Sequence, residues 1–187
     1  MKVGFIGLGN VGGKLAGSLL RNGMDLSVHD LNDSFVADFV SRGAKDGSSP
    51  AQLMQDCDAV ITCLPSPAAC DAVVSEMLPH VGPGKVWMEM STTDASAVKR
   101  LGALVLAAGG EAVDCPVSGG CHRADTGNIS IYAGCTRATF DKVLPILTHM
   151  GRCILHVGEI GNSSTLKVMT NYLATANLIT VCEALTV

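Results

Sequence analysis

The chain has 187 residues, of which 48% are hydrophobic, 16% charged and 21 glycine. That profile excludes a disordered chain and fits one glycine-rich α/β domain, or one domain with part of another. A net charge of −4 gives no general pull toward nucleic acid or an anionic membrane.

Residues 2–6, KVGFI, read as a short apolar strand, and GLGNVGG leads into a helix over about 11–22. LSVHD (26–30) is a second strand, followed by a helix at 34–42. SSPAQLMQDC (48–57) opens with a Ser-Pro start signal and continues as a helix. DAVITCLP (58–65) is a buried strand stopped by proline, 67–78 a helix, and KVWMEM (85–90) a strand. A helix at 94–109, strands at 111–117 and 129–134, a helix at 136–150 and a strand at 152–158 follow. Strands alternating with helices predict an α/β, doubly wound, mostly parallel sheet. The near-continuous apolar strands fit a sheet covered on both faces. No internal repeat and no low-complexity tract interrupts the pattern.

The eight cysteines (57, 63, 70, 115, 121, 135, 153 and 182) contain no C-x-x-C pair and no Cys/His set at zinc spacing. They are expected to be small buried hydrophobes in a reducing compartment, cytoplasmic or equivalent, with no metal bound. MKVGFIG lacks the order of a signal peptide.

Gly7-Leu8-Gly9-Asn10-Val11-Gly12 matches G-x-G-x-x-G between an apolar strand and a helix. In that setting Gly7 permits a tight turn, Gly9 lets backbone approach a pyrophosphate, and Gly12 lets helix and strand pack closely. The helix N-terminus adds free N–H groups and the positive end of its dipole. Asp30 ends the second strand, 18 residues after Gly12. A carboxylate there accepts hydrogen bonds from both ribose hydroxyls of NAD and repels the 2′-phosphate of NADP. No arginine stands at 31–34. The other reading of Asp30 is a cap on the next helix.

Gly158–Leu173, GEIGNSSTLKVMTNYL, opens on glycines and candidate caps at Asn162, Ser163 and Ser164, then becomes helical. Lys167 and Asn171 lie four residues apart on one face. Lysine shifts its pKa readily when desolvated, which suits acid/base work. The alternative is a solvated lysine on an ordinary helix.

With these residues in hand, the chain resembles the β-hydroxyacid dehydrogenase family, which includes 3-hydroxyisobutyrate dehydrogenase and tartronate semialdehyde reductase. GFIGLGNVG (4–12) looks like the family's dinucleotide turn. Asp114-Cys115-Pro116-Val117-Ser118-Gly119-Gly120 is similar to its D-x-P-V-S-G-G segment. GNISIYAG (127–134) resembles the glycine-bounded stretch that follows. Gly158-x-x-Gly161 with Lys167 and Asn171 resembles its G-x-x-G-x(5)-K-x-x-x-N. The resemblance implies a Rossmann-type NAD-binding domain at 1–160. It implies Lys167 as acid/base, Asn171 as a substrate-orienting amide, and Ser118, Gly119 and Gly120 as the seat of a small substrate's carboxylate. Leu64 and Pro65 would line the adenosine side of the cofactor, and Ser91-Thr92 would approach the nicotinamide ribose.

His122-Arg123 depart from relatives that have small residues or a lysine there. Arg123 either pairs with a second anionic group on the substrate or is a solvated cation. Asp94, where relatives often have proline, reads as a helix cap. From Leu166 to Val187, 14 of 22 residues are apolar, spread around the whole helix, and only Lys167 and Glu183 are charged. A helix apolar all round must be buried. The dinucleotide domain is expected to cover one side, and the other to meet a further helical domain. Residues 161–187 would thus be the start of a long interdomain helix, the chain a fragment of low turnover, and the full-length form a homo-oligomer. Two other functions stay open. One is a non-catalytic dinucleotide-binding or interaction module; the other is an aldehyde or imine reductase using NADPH, against which Asp30 argues.

Overall fold

The computed structural model describes residues 1–186. Strand β1 (Lys2–Ile6) lies at the centre of a sheet with β2 (Asp25–His29) on one side and β4 (Ala59–Thr62) on the other. A two-residue edge strand, β3 (Lys45–Asp46), joins β2. Strands β5 (Val86–Glu89) and β6 (Glu111–Asp114) extend the opposite side. All neighbouring pairs are parallel, in the order β3-β2-β1-β4-β5-β6. That is the doubly wound order whose reversal beside β1 opens a crevice at the strands' carboxyl ends.

Alternation along each strand sends side chains to both faces. Val3, Phe5, Ile61, Met88 and Val113 pack in one cluster with Leu15 and Leu19 of α1 (Gly12–Arg21). Phe39 of α2 (Asp33–Ser41) joins that face. Ile6, Val60, Trp87 and Ala112 face the other way. There they meet Leu53 of α3 (Pro50–Asp56), Val74 of α4 (Pro67–Met77) and Leu101 of α5 (Ala95–Ala107). Helix starts follow the sequence signals. Ser49 and Ser66 cap helices that open on Pro50 and Pro67, and Asp94 accepts from Ala97 N–H at 2.8 Å.

The expected strand at 111–117 is two strands. Pro116 has no N–H for the ladder, so β6 stops at Asp114. The chain then enters a second sheet through β7 (Val117–Ser118), which pairs antiparallel with β8 (Ile129–Ala133). Strand β9 (Gly151–His156) pairs parallel with β8. Between β7 and β8 stands a short helix, α6 (Gly120–Asp125), which the sequence reading left out. Helix α7 (Arg137–Met150) buries Phe140, Val143 and Leu147 on the first core face. An Asp114–Gly134 bridge ties the two sheets together.

Helix α8 (Asn162–Thr186) is only partly as expected. Its first turn is buried at Ser163 and Ser164, but beyond it both apolar sides are open. Tyr172 is 72% exposed, Leu178 63% and Leu185 81%. The domain therefore covers the start of α8 rather than one side of it. Nor are all cysteines buried. Cys57, Cys70, Cys115 and Cys135 are, but Cys153 on edge strand β9 and Cys182 on α8 are exposed. Among the described residues no helix is long and apolar enough to cross a membrane, and no cluster of metal ligands occurs.

Candidate functional site

The site is built at the carboxyl ends of the parallel strands. After β1 the chain turns at Gly7, whose φ of +94° is left-handed and whose N–H donates to His29 O at 3.0 Å. A Cβ on Gly7 would sit 2.3 Å from Cys63 O, and one on Gly12 would sit 1.9 Å from Gly7 O. A Cβ on Gly9 would meet nothing within 4 Å. Gly7 and Gly12 are thus required by the fold, whereas Gly9 faces open space. No side chain caps the first turn of α1. Gly13 and Lys14 N–H donate back to Gly9 O and Val11 O, which leaves the N–H groups at the very start of the helix and in the turn before it as an anion seat.

Asp30 lies one residue past β2. Its Oδ2 accepts from Leu8 N–H at 2.6 Å and its Oδ1 from Asn32 N–H at 2.8 Å. The cap on α2 is Asn32, which accepts from Ser34 N–H at 3.0 Å. Asp30 instead braces the glycine turn and keeps lone pairs for a ligand.

A cleft of about 810 Å³ runs across these ends. At the β2 side it is lined by Asp30, Leu31 and Phe35. Gly7, Gly9, Asn10, Val11 and Gly12 form its middle, with Leu64 and Pro65 after β4. Ser91 and Thr92 after β5 lead to Val117, Gly120, Ile129 and Lys167. The volume lies in the range of cofactor sites, roughly 300–1,000 Å³. With the open strip at Gly9 and the uncapped helix, the residues present fit an extended dinucleotide.

Lys167 is half-buried on the first turns of α8. Desolvation pushes its ammonium below the ordinary value of 10.5. Ser118 ends β7, half-buried, and Gly119 and Gly120 take φ of +131° and +78°. Of this turn only Gly120 lines the cleft. Leu8 turns its side chain into the core and gives its N–H to Asp30. Arg123 is exposed on α6, its stem against Gly119, and Asn171 is exposed one turn beyond Lys167. Neither lines the cleft.

Glu89 was missed by the sequence reading, although a lone carboxylate closing the apolar strand VWME was the signal. It is wholly buried. Its Oε1 accepts from Ser91 N–H at 2.7 Å, and its Oε2 lies 2.9 Å from Thr62 Oγ1. Trp87 Nε1–H donates to the same Thr62 oxygen at 2.9 Å. Ser91 Oγ in turn accepts from Leu64 N–H at 2.7 Å. One carboxyl thus ties together the ends of β4 and β5, both walls of the cleft. Burial pushes Glu89 up, against the hydrogen bonds from Ser91 and Thr62.

A folded-state pKa raised above the unfolded one stabilises the fold below the unfolded value and loses that contribution as pH rises through the folded value. Glu89→Gln keeps shape and the bond from Ser91 N–H, and its Nε2–H donates to Thr62 Oγ1 where the carboxylate accepts, but it does not titrate. The variant is therefore expected to match the parent near pH 4.5 and to exceed it increasingly at higher pH. Urea unfolding across pH checks this; a uniform loss of stability at every pH would mean that the ionised carboxylate is needed.

Residues 2–158 match the family model described as the NAD-binding domain of 6-phosphogluconate dehydrogenase. The chain is 32% identical to 2-(hydroxymethyl)glutarate dehydrogenase of Eubacterium barkeri, over 99% of the chain and 62% of that protein. It is also 32% identical to a probable mitochondrial 3-hydroxyisobutyrate dehydrogenase of Dictyostelium discoideum, over 98% of the chain and 58% of that protein. The fold superposes on the solved 3-hydroxyisobutyrate dehydrogenase of Mycobacterium tuberculosis with L-serine at a TM-score of 0.94. The identity there is 25%, covering 98% of this chain and 63% of the other. The chain thus spans about three fifths of the length of these relatives. By the family match, the order of its strands and the shape of its cleft, it belongs to the 6-phosphogluconate dehydrogenase-type NAD-binding domains, in the β-hydroxyacid dehydrogenase family.

Proposed function

We propose that this chain is the cofactor-binding part of an oxidoreductase that moves a hydride between NAD and a short β-hydroxyacid of the 3-hydroxyisobutyrate type. The observation that carries the reading is one desolvated lysine, Lys167, in the same cleft as the glycine turn. When bound, the nicotinamide supplies the hydride acceptor or donor. The chain's own residues do the rest. The uncapped start of α1 and Gly9 seat the pyrophosphate, Asp30 takes the ribose hydroxyls, and Leu64 and Pro65 pack beside the adenosine. Thr92 approaches the second ribose. Ser118 with the N–H groups of Gly119 and Gly120 receives the carboxylate, since small residues with positive φ expose backbone donors to an anion. Lys167 Nζ takes the hydroxyl proton during oxidation and returns it during reduction. The resemblance assigns Asn171 to orienting the substrate, although its side chain lies outside the cleft of this chain. Arg123, exposed beside the Ser118–Gly120 turn and outside the cleft, either meets a second acidic group of a longer substrate that extends past it or stays solvated. The exposed apolar length of α8 is the surface on which a further helical unit or a second copy packs.

NAD is expected to bind at least tenfold more tightly than NADP, about 1.4 kcal/mol. The 2′-phosphate would face the fixed Asp30 carboxylate, and no arginine stands at 31–34. Calorimetric titration with both cofactors checks this, and equal affinity would remove Asp30 as the selector. Activity is tested by a spectrophotometric screen of 3-hydroxy acids, including 2-(hydroxymethyl)glutarate, with each cofactor. Tight NAD binding with no turnover in a full-length form would return the protein to the non-catalytic module.

A further inference from the structure

Asp114 closes β6 and is wholly buried, yet its carboxylate points away from the strand ladder and into the start of α8. Its Oδ2 accepts from Gly161 N–H at 3.0 Å and from Ser164 N–H at 2.9 Å. Its Oδ1 accepts from Ser164 Oγ–H at 2.8 Å. Two of these donors are main-chain N–H groups, which can only donate, and both converge on one oxygen. The carboxylate accepts all three bonds. An Asn amide could keep both N–H bonds on its oxygen and donate its own N–H to Ser164 Oγ, so only loss of the side chain breaks the anchor. The sequence suggested a local cap from Asn162, Ser163 or Ser164. The orphan donors of the first turn are instead met by an acid about 50 residues away in the chain. Ser163 Oγ has no partner at all, and Asn162 turns its amide to Val157 O.

The same residue acts through its main chain. Asp114 N–H donates to Gly134 O at 3.0 Å, and Gly134 N–H donates back at 2.8 Å. A Cβ on Gly134 would come within 2.7 Å of Glu159 O and Ser163 Oγ, so β8 abuts the same helix start. Four residues after Asp114 the chain reaches Ser118-Gly119-Gly120. Three residues after Ser164, on the same face of α8, stands Lys167.

We propose that Asp114 is a positioning residue for Lys167: its carboxylate fixes the first turn of α8 and so sets the lysine against the cleft and the Ser118–Gly120 turn. Asp114 touches neither cofactor nor substrate. The proposal rests on Lys167 being the acid/base, but the anchoring itself is measurable without turnover.

The test uses the 187-residue chain, with Asp114→Ala and, separately, Ser164→Ala. Amide exchange is followed at Gly161 and Ser164, and the Lys167 side-chain titration by NMR, assigned with Lys167→Arg. In Asp114→Ala, exchange at Gly161 and Ser164 is expected to quicken at least tenfold relative to the amides of α1 and β4. The Lys167 titration is expected to move up toward 10.5 as the turn loosens and water reaches the amine. NAD affinity, carried by β1, β2 and β4, should stay within twofold. Ser164→Ala, which removes one donor and leaves β6 intact, should give the same changes in smaller measure, and it decides the matter if Asp114→Ala does not fold. Unchanged exchange and an unmoved Lys167 titration in the folded variants would overturn the proposal. Full turnover in Lys167→Ala would sink the dehydrogenase assignment instead, and would leave the exchange result standing.

Discussion

Lys167→Ala is expected to lower turnover by roughly 10²–10⁴-fold, the usual size of an acid/base contribution, while leaving NAD affinity nearly intact. The lysine lies at the far side of the cleft from the glycine turn and Asp30, so the dinucleotide keeps its contacts when the amine is removed. The pH dependence follows from the same side chain. Desolvation stabilises the neutral amine, so the pKa is lowered. Alcohol oxidation needs a free amine to accept the proton; its rate should rise with pH and level off below the ordinary lysine value of 10.5. Aldehyde reduction needs the ammonium and should fall through the same midpoint. Steady-state rates in both directions, parent against Lys167→Ala, provide the measurement in a form of the protein that turns over. A variant that keeps near-normal rates, or profiles that run in the same direction, would return Lys167 to an ordinary half-buried lysine.

The second large effect separates two glycines of one motif. Gly12→Ala is expected to damage the fold and with it all cofactor binding. The new methyl would overlap Gly7 O, a main-chain atom held by β1 and its neighbours, at 1.9 Å. Overpacking of this kind costs about 1–3 kcal/mol and more where backbone must move. Gly9→Ala should leave the unfolding midpoint where it is, because its methyl would meet nothing within 4 Å. That same open space is where the pyrophosphate approaches, so NAD affinity should drop at least tenfold, about 1.4 kcal/mol. Thermal unfolding and calorimetric titration of both variants give the comparison. If Gly9→Ala bound NAD as the parent does, the dinucleotide would not lie along the turn.

Much of this was legible in the sequence because it is local. Apolar runs of strand length alternating with capped helices specify a sheet covered on both faces, and β1, β2, β4, β5 and β6 fall within a few residues of their expected places. Ser49-Pro50 and Asp94 act on N–H groups three residues away, so their capping could be read directly. The glycine turn was readable because its steric demand comes from backbone only five residues apart, Gly7 against Gly12.

What tertiary structure alone decided is long-range. The sequence reads as one strand over 111–117, with Pro116 inside it, and only pairing with β8 shows that the chain changes sheets there. Two-residue β3 has too few residues for any period to register, and it exists because β2 offers an edge. The buried acids were visible as letters without partners: Glu89 reaches Thr62 across the sheet, and Asp114 reaches Ser164 some 50 residues on. A carboxylate in an apolar interior must find donors wherever the fold brings them, and the sequence holds no distance that says where. The apolar character of α8 was equally plain in the sequence, but its exposure depends on what packs against it. In this structure only its first turn is buried, where Asp114 and Gly134 close upon it.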